Sequence, residues 1–142
     1  MKGLDDRAAA TQKTYDKFKA KPFDWHGATC SHVLRSHLRN MGKRPPKMPS
    51  FRSPIGAARA LKGMGADDLA SLCRVLGLTE IPPAMMIVGD IAILPGDEGR
   101  VDGIHAAIAI CAGNKFMGWH EAGEGFQTVD DIMPHVTAAF RV

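Results

Sequence analysis

The fold is decided by one stretch, DWHGATCSHVLRSHLRNMG, residues 24–42, which predicts a helix that begins beside a cysteine. Thr29 is of a residue type that caps helix N-termini, and Gly42 is typical of a helix stop. Five residues recur at helical spacing and form one apolar face: Val33, Leu34, His37, Leu38 and Met41. Cys30 is therefore expected in the first turn of a helix that spans about residues 29–41.

The flanking segments predict three more helices. The first, at about residues 4–20, has its apolar positions at Leu4, Ala8, Tyr15 and Phe18. Ser53 followed by Pro54 is a strong start signal for another helix. A short helix is expected from Ala66 or Asp67 to about Leu76, where Gly77 ends it.

Short β-like runs fill the second half of the chain, separated by turn compositions. They are residues 86–94, 103–111, 115–122 and 125–129, and a last strand is expected in VTAAFRV, residues 136–142. Helices followed by an antiparallel meander indicate an α+β fold, with helices packed on one side of a sheet. A length of 142 residues suggests one domain, residues 1–142.

Composition argues against several classes of protein. No apolar run has the length of a membrane span, which predicts no membrane insertion, and the N-terminus does not resemble a secretory signal. The net charge is only +3, and the densest basic cluster, GKRPPK at residues 42–47, is interpreted as a solvated loop rather than a nucleic-acid site. The three cysteines are widely spaced, which disfavours a disulfide framework or a structural zinc site, and no cofactor is predicted.

Cys30 has two interpretations, a buried apolar residue or a nucleophile. A free thiol with a pKa of about 8.5 is mostly protonated at neutral pH. The N–H groups of a helix N-terminus favour a thiolate and can also bind an oxyanion. Lowering a thiol pKa by about 3 units takes about 4 kcal/mol. A helix end contributes roughly 0.3–2 kcal/mol, so an imidazolium is needed as well.

His105 is the best candidate for that imidazole, because it opens the strand-like run HAAIAIC. A hairpin of this run with KFMGWH would bring His105 and His120 to one end of adjacent strands, where His120 could orient the ring of His105. His32 and His37 lie on the helix of Cys30 and are not expected to reach its thiol. His135 is expected at the surface.

Cys73 and Cys111 lie within apolar stripes and are assigned to the core. A metal site formed by His26, Cys30, His105 and His120 is a less favoured alternative, because no short ligand pair anchors it. No metal ion is therefore predicted.

Three stretches carry a family resemblance: ATCSHVLRSHL, GDIAILPG and HAAIAICAGNKFMGWHEAG. Over about residues 20–142 the chain resembles the NlpC-type cell-wall cysteine peptidases, which are papain-like. More narrowly, KPFDWHGATCSHVL, the Ala-rich helix at 54–62, VGDIAIL and the terminal AAFRV are similar to a phage and prophage branch, commonly encoded among tail genes, whose function is unknown. The chain departs from the family pattern at Thr29, where Asp is common, and at Ala107, where Gly is usual.

The resemblance implies a papain-like fold in which Cys30 is the nucleophile and His105 the base, with His120 or the position of Gly118 as the third residue. It implies hydrolysis of amide bonds in peptidoglycan stem peptides, with an oxyanion held near Cys30 and Ser31. Trp25, His26 and Trp119 flank these positions and are expected to line the cleft, although packing is an equal interpretation for Trp119.

Two other functions stay open. The chain can be a structural tail-tip or adaptor protein that keeps the fold and has other tail-tip proteins as partners. It can also catalyse acyl transfer on a small molecule with the same Cys–His pair. The resemblance places the protein in a phage virion, or in the bacterial host cytoplasm before assembly.

Overall fold

The structure is a computed structural model that describes residues 3–22, 24, 27–47, 49, 51–95, 106–119 and 125–142. Within these residues, four helices come first: Leu4–Phe18 (α1), Cys30–Asn40 (α2), Pro54–Gly63 (α3) and Leu69–Val75 (α4). Six strands follow: Thr79–Ile81 (β1), Ile91–Pro95 (β2), Ala106–Cys111 (β3), Phe116–Trp119 (β4), Phe126–Val129 (β5) and Ala138–Arg141 (β6). The strands form one antiparallel sheet in the order β1-β6-β2-β3-β4-β5, which confirms the predicted α+β class.

The helix starts follow from side-chain caps that the sequence contains. Thr29 caps α2, and Ser53 caps α3 by accepting the Gly56 N–H at 3.0 Å. The short fourth helix begins at Leu69, slightly later than expected, because Asp68 is its cap and accepts the Ser71 N–H at 2.7 Å. The apolar face predicted for α2 is confirmed, since all five of its residues are buried.

One face of the sheet forms the core together with the helices. In the register, Ile91 lies opposite both Ile110 and Phe140, and Ile93 lies opposite Ile108, so these side chains share a face. They join one buried cluster with helix residues, among them Val33, Leu34, Leu38, Leu61, Leu69 and Leu72. The predicted packing of helices against the sheet is thereby confirmed.

The predicted apolar face of α1 is wrong at two of its four positions. Leu4 is 63% exposed and Ala8 is also exposed, whereas Phe18 is buried and Tyr15 half-buried. The buried face instead carries Arg7, Ala10, Thr11, Thr14 and Phe18. Polar residues are tolerated there because the Thr11 hydroxyl donates to Arg7 O, the Thr14 hydroxyl bonds to His37 Nδ1, and Arg7 pairs with a carboxylate.

The sheet differs from the expected meander at one edge. The expected strand at residues 86–94 begins only at Ile91, because the chain turns at Gly89, where φ is +93°. β1 was not expected from the sequence. The last strand, β6, lies between β1 and β2, so the meander covers only β2 to β5.

Candidate active site

Cys30 is the first residue of α2, at the helix end where backbone N–H groups lack partners within the helix. Thr29 and His32 form a reciprocal cap, in which Thr29 Oγ1 accepts the His32 N–H at 3.4 Å and His32 Nδ1 accepts the Thr29 N–H at 3.3 Å. The Thr29 carbonyl accepts the Val33 N–H at 3.0 Å. The N–H groups of the first turn that Thr29 does not bind are those of Cys30 and Ser31.

The thiol of Cys30 lies against β3. The Ile108 N–H points at Cys30 Sγ at 3.5 Å, so the sulfur is two residues along the strand from Ala106. Cys30 is half-buried and packs on the core cluster. The first turn of α2 therefore faces the first half of β3.

The hairpin of β3 and β4 is confirmed. Ile110 pairs with Met117 and Cys111 with Phe116, which places Ala106 and Trp119 at the same end of the two strands. His105 precedes Ala106 in the chain and His120 follows Trp119, and both histidines lie outside the described residues.

The predicted cleft residues are described only in part. Trp25 and His26 lie outside the described residues, and Ser31 is buried at 3% exposure. Trp119 is half-buried, its indole N–H donates to Lys21 O at 2.8 Å, and its ring meets Phe126 edge-on at 5.1 Å between centroids. These contacts give Trp119 a packing role, whatever else its ring does.

His32 is committed to the helix cap rather than to the thiol. Its Nδ1 accepts the Thr29 N–H and lies 2.7 Å from Thr29 Oγ1, while its ring is 5.1 Å from that of Phe51. Burial lowers the pKa of His32, against a smaller opposing effect from Asp24. These contacts commit His32 Nδ1 to Thr29 rather than to the Cys30 thiol.

His37 is fully buried and also occupied on both ring nitrogens. Its Nε2 donates to Gly89 O at 2.8 Å, and its Nδ1 lies 2.8 Å from Thr14 Oγ1. Burial lowers its pKa to about 4, so the ring is neutral at ordinary pH. His135 is exposed, as predicted. The expectation that the helix histidines do not serve Cys30 is therefore confirmed by their bonds.

The other two cysteines behave as core residues, as predicted. Cys73 is fully buried, and burial raises its pKa to about 12. Cys111 is buried at 3% exposure, its Sγ lies 3.6 Å from Gly113 O, and burial again raises its pKa. Both thiols are thus held in the protonated, unreactive form.

The alternative of a metal site is not tested by the described residues, because His26, His105 and His120 lie outside them. Among the residues that are described, no group of three His, Cys, Asp or Glu side chains is arranged to hold a metal ion. None of the helices in this part of the chain is long and apolar enough to cross a membrane.

Sequence reasoning missed the role of Asp90. Its fully buried carboxylate accepts hydrogen bonds from Arg7 at 2.5 Å, Arg141 at 2.8 Å, the Ile87 N–H at 2.9 Å and the Val142 N–H at 3.2 Å. The signal was an aspartate directly before the apolar run IAIL, where an unpaired charge would be costly. Asp90 ties α1 and β6 to the start of β2.

The fold and the site together describe one class of protein. It is an α+β protein in which a cysteine begins a helix that packs on an antiparallel sheet. A family described as Domain of unknown function (DUF6950) matches residues 2–142, so the chain belongs to this family. No curated protein and no solved structure matches it.

Proposed function

We propose that the protein is a papain-like cysteine peptidase or amidase that hydrolyses amide bonds in peptidoglycan stem peptides through Cys30 and His105. The observation that carries the proposal is the position of the Cys30 thiol. It lies at the N-terminus of α2 and 3.5 Å from the Ile108 N–H, on the strand that follows His105 in the chain. A thiol in this position meets one requirement for activation, and the histidine supplies the other.

The mechanism follows from the residue types. His105 accepts the proton of Cys30 Sγ, and the thiolate attacks the amide carbonyl carbon to form a C–S bond. Backbone N–H groups at the start of α2, near Cys30 and Ser31, hold the oxyanion. The C–N bond breaks as His105 protonates the leaving amine, and water then releases the acyl group as a carboxylate and restores the thiol.

Other features of the molecule support this assignment of roles. Cys73 and Cys111 are buried with raised pKa values, and His32 and His37 are bonded elsewhere. Among the described cysteines, Cys30 is the one with partial exposure. In this proposal His120 orients the ring of His105, which requires that β3 and β4 pair as a hairpin. The two strands do pair in this way.

Purified peptidoglycan sacculi provide the direct test. Wild type is expected to release new amino groups without new reducing ends, because an amide and not a glycosidic bond is cleaved. Cys30→Ala should abolish the release, and Cys111→Ala, which removes a buried thiol, should retain it in proportion to its folded fraction. Equal release by Cys30→Ala and wild type contradicts the proposal.

A second function is favoured by the packing of Cys30 against the core cluster. In this alternative the protein is a tail-tip or adaptor subunit of a phage particle that retains the fold without activity. Its partners are then neighbouring tail proteins rather than peptidoglycan fragments. Wild type that binds a purified tail-tip assembly but releases no amino groups from sacculi supports this alternative.

A further inference from the structure

The backbone N–H groups of β3 point alternately toward its two neighbouring strands. The Cys111 N–H donates to Asp90 O at 2.8 Å, on the side of β2, and the Ala112 N–H donates to Lys115 O at 2.7 Å, on the side of β4. Successive residues of an antiparallel strand direct their N–H groups to opposite sides. Ile108 lies four residues before Ala112, so its N–H points to the side of β4.

On this side of β3 the Ile108 N–H meets the sulfur of Cys30. The N–H is directed at Cys30 Sγ over a distance of 3.5 Å. As far as β3 and β4 are described, their pairing ends at Ile110 and Met117, two residues short of Ile108. The thiol at the start of α2 therefore lies where the next N–H donor of this ladder is directed.

This place suits a thiolate better than a thiol. Ile108 is 5% exposed, and a buried backbone N–H needs an acceptor. A neutral thiol accepts hydrogen bonds only weakly, whereas a bond to an ionised acceptor is about twice as strong as a bond between neutral groups. Because a hydrogen bond made to the charged form of an acid favours that form, the sheet adds to the effect of the helix N-terminus on Cys30.

We propose that the backbone N–H of Ile108 is a further catalytic group of the candidate active site, which binds the Cys30 thiolate and stabilises it. Its role in catalysis rests on the proposed function, whereas the bond itself does not depend on His105. In the proposed reaction the N–H binds the sulfur before the attack. It binds the sulfur again after water has released the acyl group, when the C–S bond breaks with its electron pair on sulfur.

One test removes this N–H and keeps the side chain. The α-hydroxy acid analogue of isoleucine at position 108 replaces the amide by an ester. The same replacement at position 110 is the matched control, because Ile110 pairs with Met117 and its N–H lies on the same side of β3. The rate of iodoacetamide alkylation of Cys30 is measured against pH, with peptide mapping to separate the three cysteines.

The ester at position 108 is expected to raise the midpoint for Cys30 by about 1 to 2 pH units, the usual size for a hydrogen bond to a charged group. The ester at position 110 removes an ordinary ladder bond and should leave the midpoint unchanged. Equal midpoints in the two esters would overturn the proposal.

A second measurement needs no ester and so does not depend on how well these variants fold. In ¹⁵N-labelled wild type, the amide proton resonance of Ile108 is followed against pH. It is expected to move downfield with the midpoint found by alkylation, and Cys30→Ala should abolish this movement. The amide of Ile110 is the internal reference and should not respond. An Ile108 resonance that is indifferent to the ionisation of Cys30 would contradict the proposed bond.

The two proposals fail in different ways. If the peptidase proposal is wrong, sacculi release no amino groups and the midpoint for Cys30 does not respond to His105→Ala, while the ester at position 108 still raises it. If the Ile108 N–H has no role, sacculi release amino groups and the midpoint responds to His105→Ala but not to the ester.

Discussion

His37 has no exposed surface, and its burial links the stability of the fold to pH. Its pKa is lowered from 6.5 to about 4, first by burial and then by Arg7, against the Gly89 hydrogen bond and Asp90, which raise it. The unfolded chain therefore takes up a proton at a pH where the folded protein does not. This contribution to stability is complete above pH 6.5 and is lost as the pH falls toward 4.

We expect the free energy of unfolding to fall by roughly 3 kcal/mol between pH 7 and pH 4 through His37 alone, at 1.36 kcal/mol per pKa unit. Urea unfolding of wild type and His37→Gln at both pH values measures it, because the difference cancels the other titrating groups. His135→Gln, at an exposed position, is the control and should follow wild type. A pH dependence that is the same in His37→Gln and wild type contradicts this origin.

The sequence predicts that His37 lies on the buried face of α2, but it does not predict which groups bond to its ring. Helical spacing put the ring on the buried face of α2, and this is confirmed. Its partners, Thr14 and Gly89, come from α1 and from the turn before β2, so a local pattern contains no sign of them. The position of Cys30 at the start of α2 could be predicted from the sequence, because the Thr29 cap beside it is a local signal.

At the scale of elements, Gly125 lies close against the backbone of Ala20. A Cβ on Gly125 would lie 2.8 Å from the Ala20 carbonyl carbon and oxygen, and its φ is +148°. The Ala20 N–H donates to Phe126 O at 2.9 Å, and the Phe126 N–H donates to Lys21 O at 2.9 Å. These bonds fix the start of β5 against the end of α1.

Gly125→Ala should therefore lower the free energy of unfolding by more than about 2 kcal/mol, because backbone and not a mobile side chain must move. Gly113→Ala is the matched control, since Gly113 also has a positive φ, +99°, but open space at its Cβ position. Its cost should be confined to backbone strain of about 1 kcal/mol. Chemical denaturation measures both, and equal costs would show that the approach to Ala20 is not limiting.

Elements with local signals were predicted well, and those without were not. Ser53 with Pro54 gave the start of α3, and the turn residues of AGN gave the β3–β4 hairpin. β1 has only three residues, and it pairs with β6 about 60 positions away, as Thr79 with Arg141. No local sequence signal therefore predicts this strand. The face of α1 was misjudged because a buried Arg7 depends on a partner distant in sequence.

At the scale of the whole molecule, Asp90 joins the beginning and the end of the described chain. Arg7 of α1 donates to Asp90, to Val88 O and to Val142 O, and Arg141 of β6 donates to Asp90 from the other side. The carboxylate has no exposed surface, so these partners replace the water that would otherwise stabilise its charge.

Asp90→Asn should destabilise the fold by about 3–5 kcal/mol, because it leaves the buried Arg7 without a counter-charge. Glu80→Gln, which breaks the exposed pair with Arg74, is the control and should cost about 0–1 kcal/mol. Thermal and urea unfolding provide the values. Similar costs for the two variants would contradict a role for Asp90 in joining the elements.

The central claim, that Cys30 and His105 form a reactive pair, is tested most directly by the rate of iodoacetamide alkylation against pH. Peptide mapping separates Cys30 from Cys73 and Cys111, whose raised pKa values make them slow internal references. Wild type, His105→Ala and the exposed-site control His135→Ala are compared. The account predicts a midpoint for Cys30 well below the ordinary thiol value of about 8.5 that rises when His105 is removed and is unchanged in His135→Ala. An ordinary or raised midpoint that does not respond to His105 would contradict it.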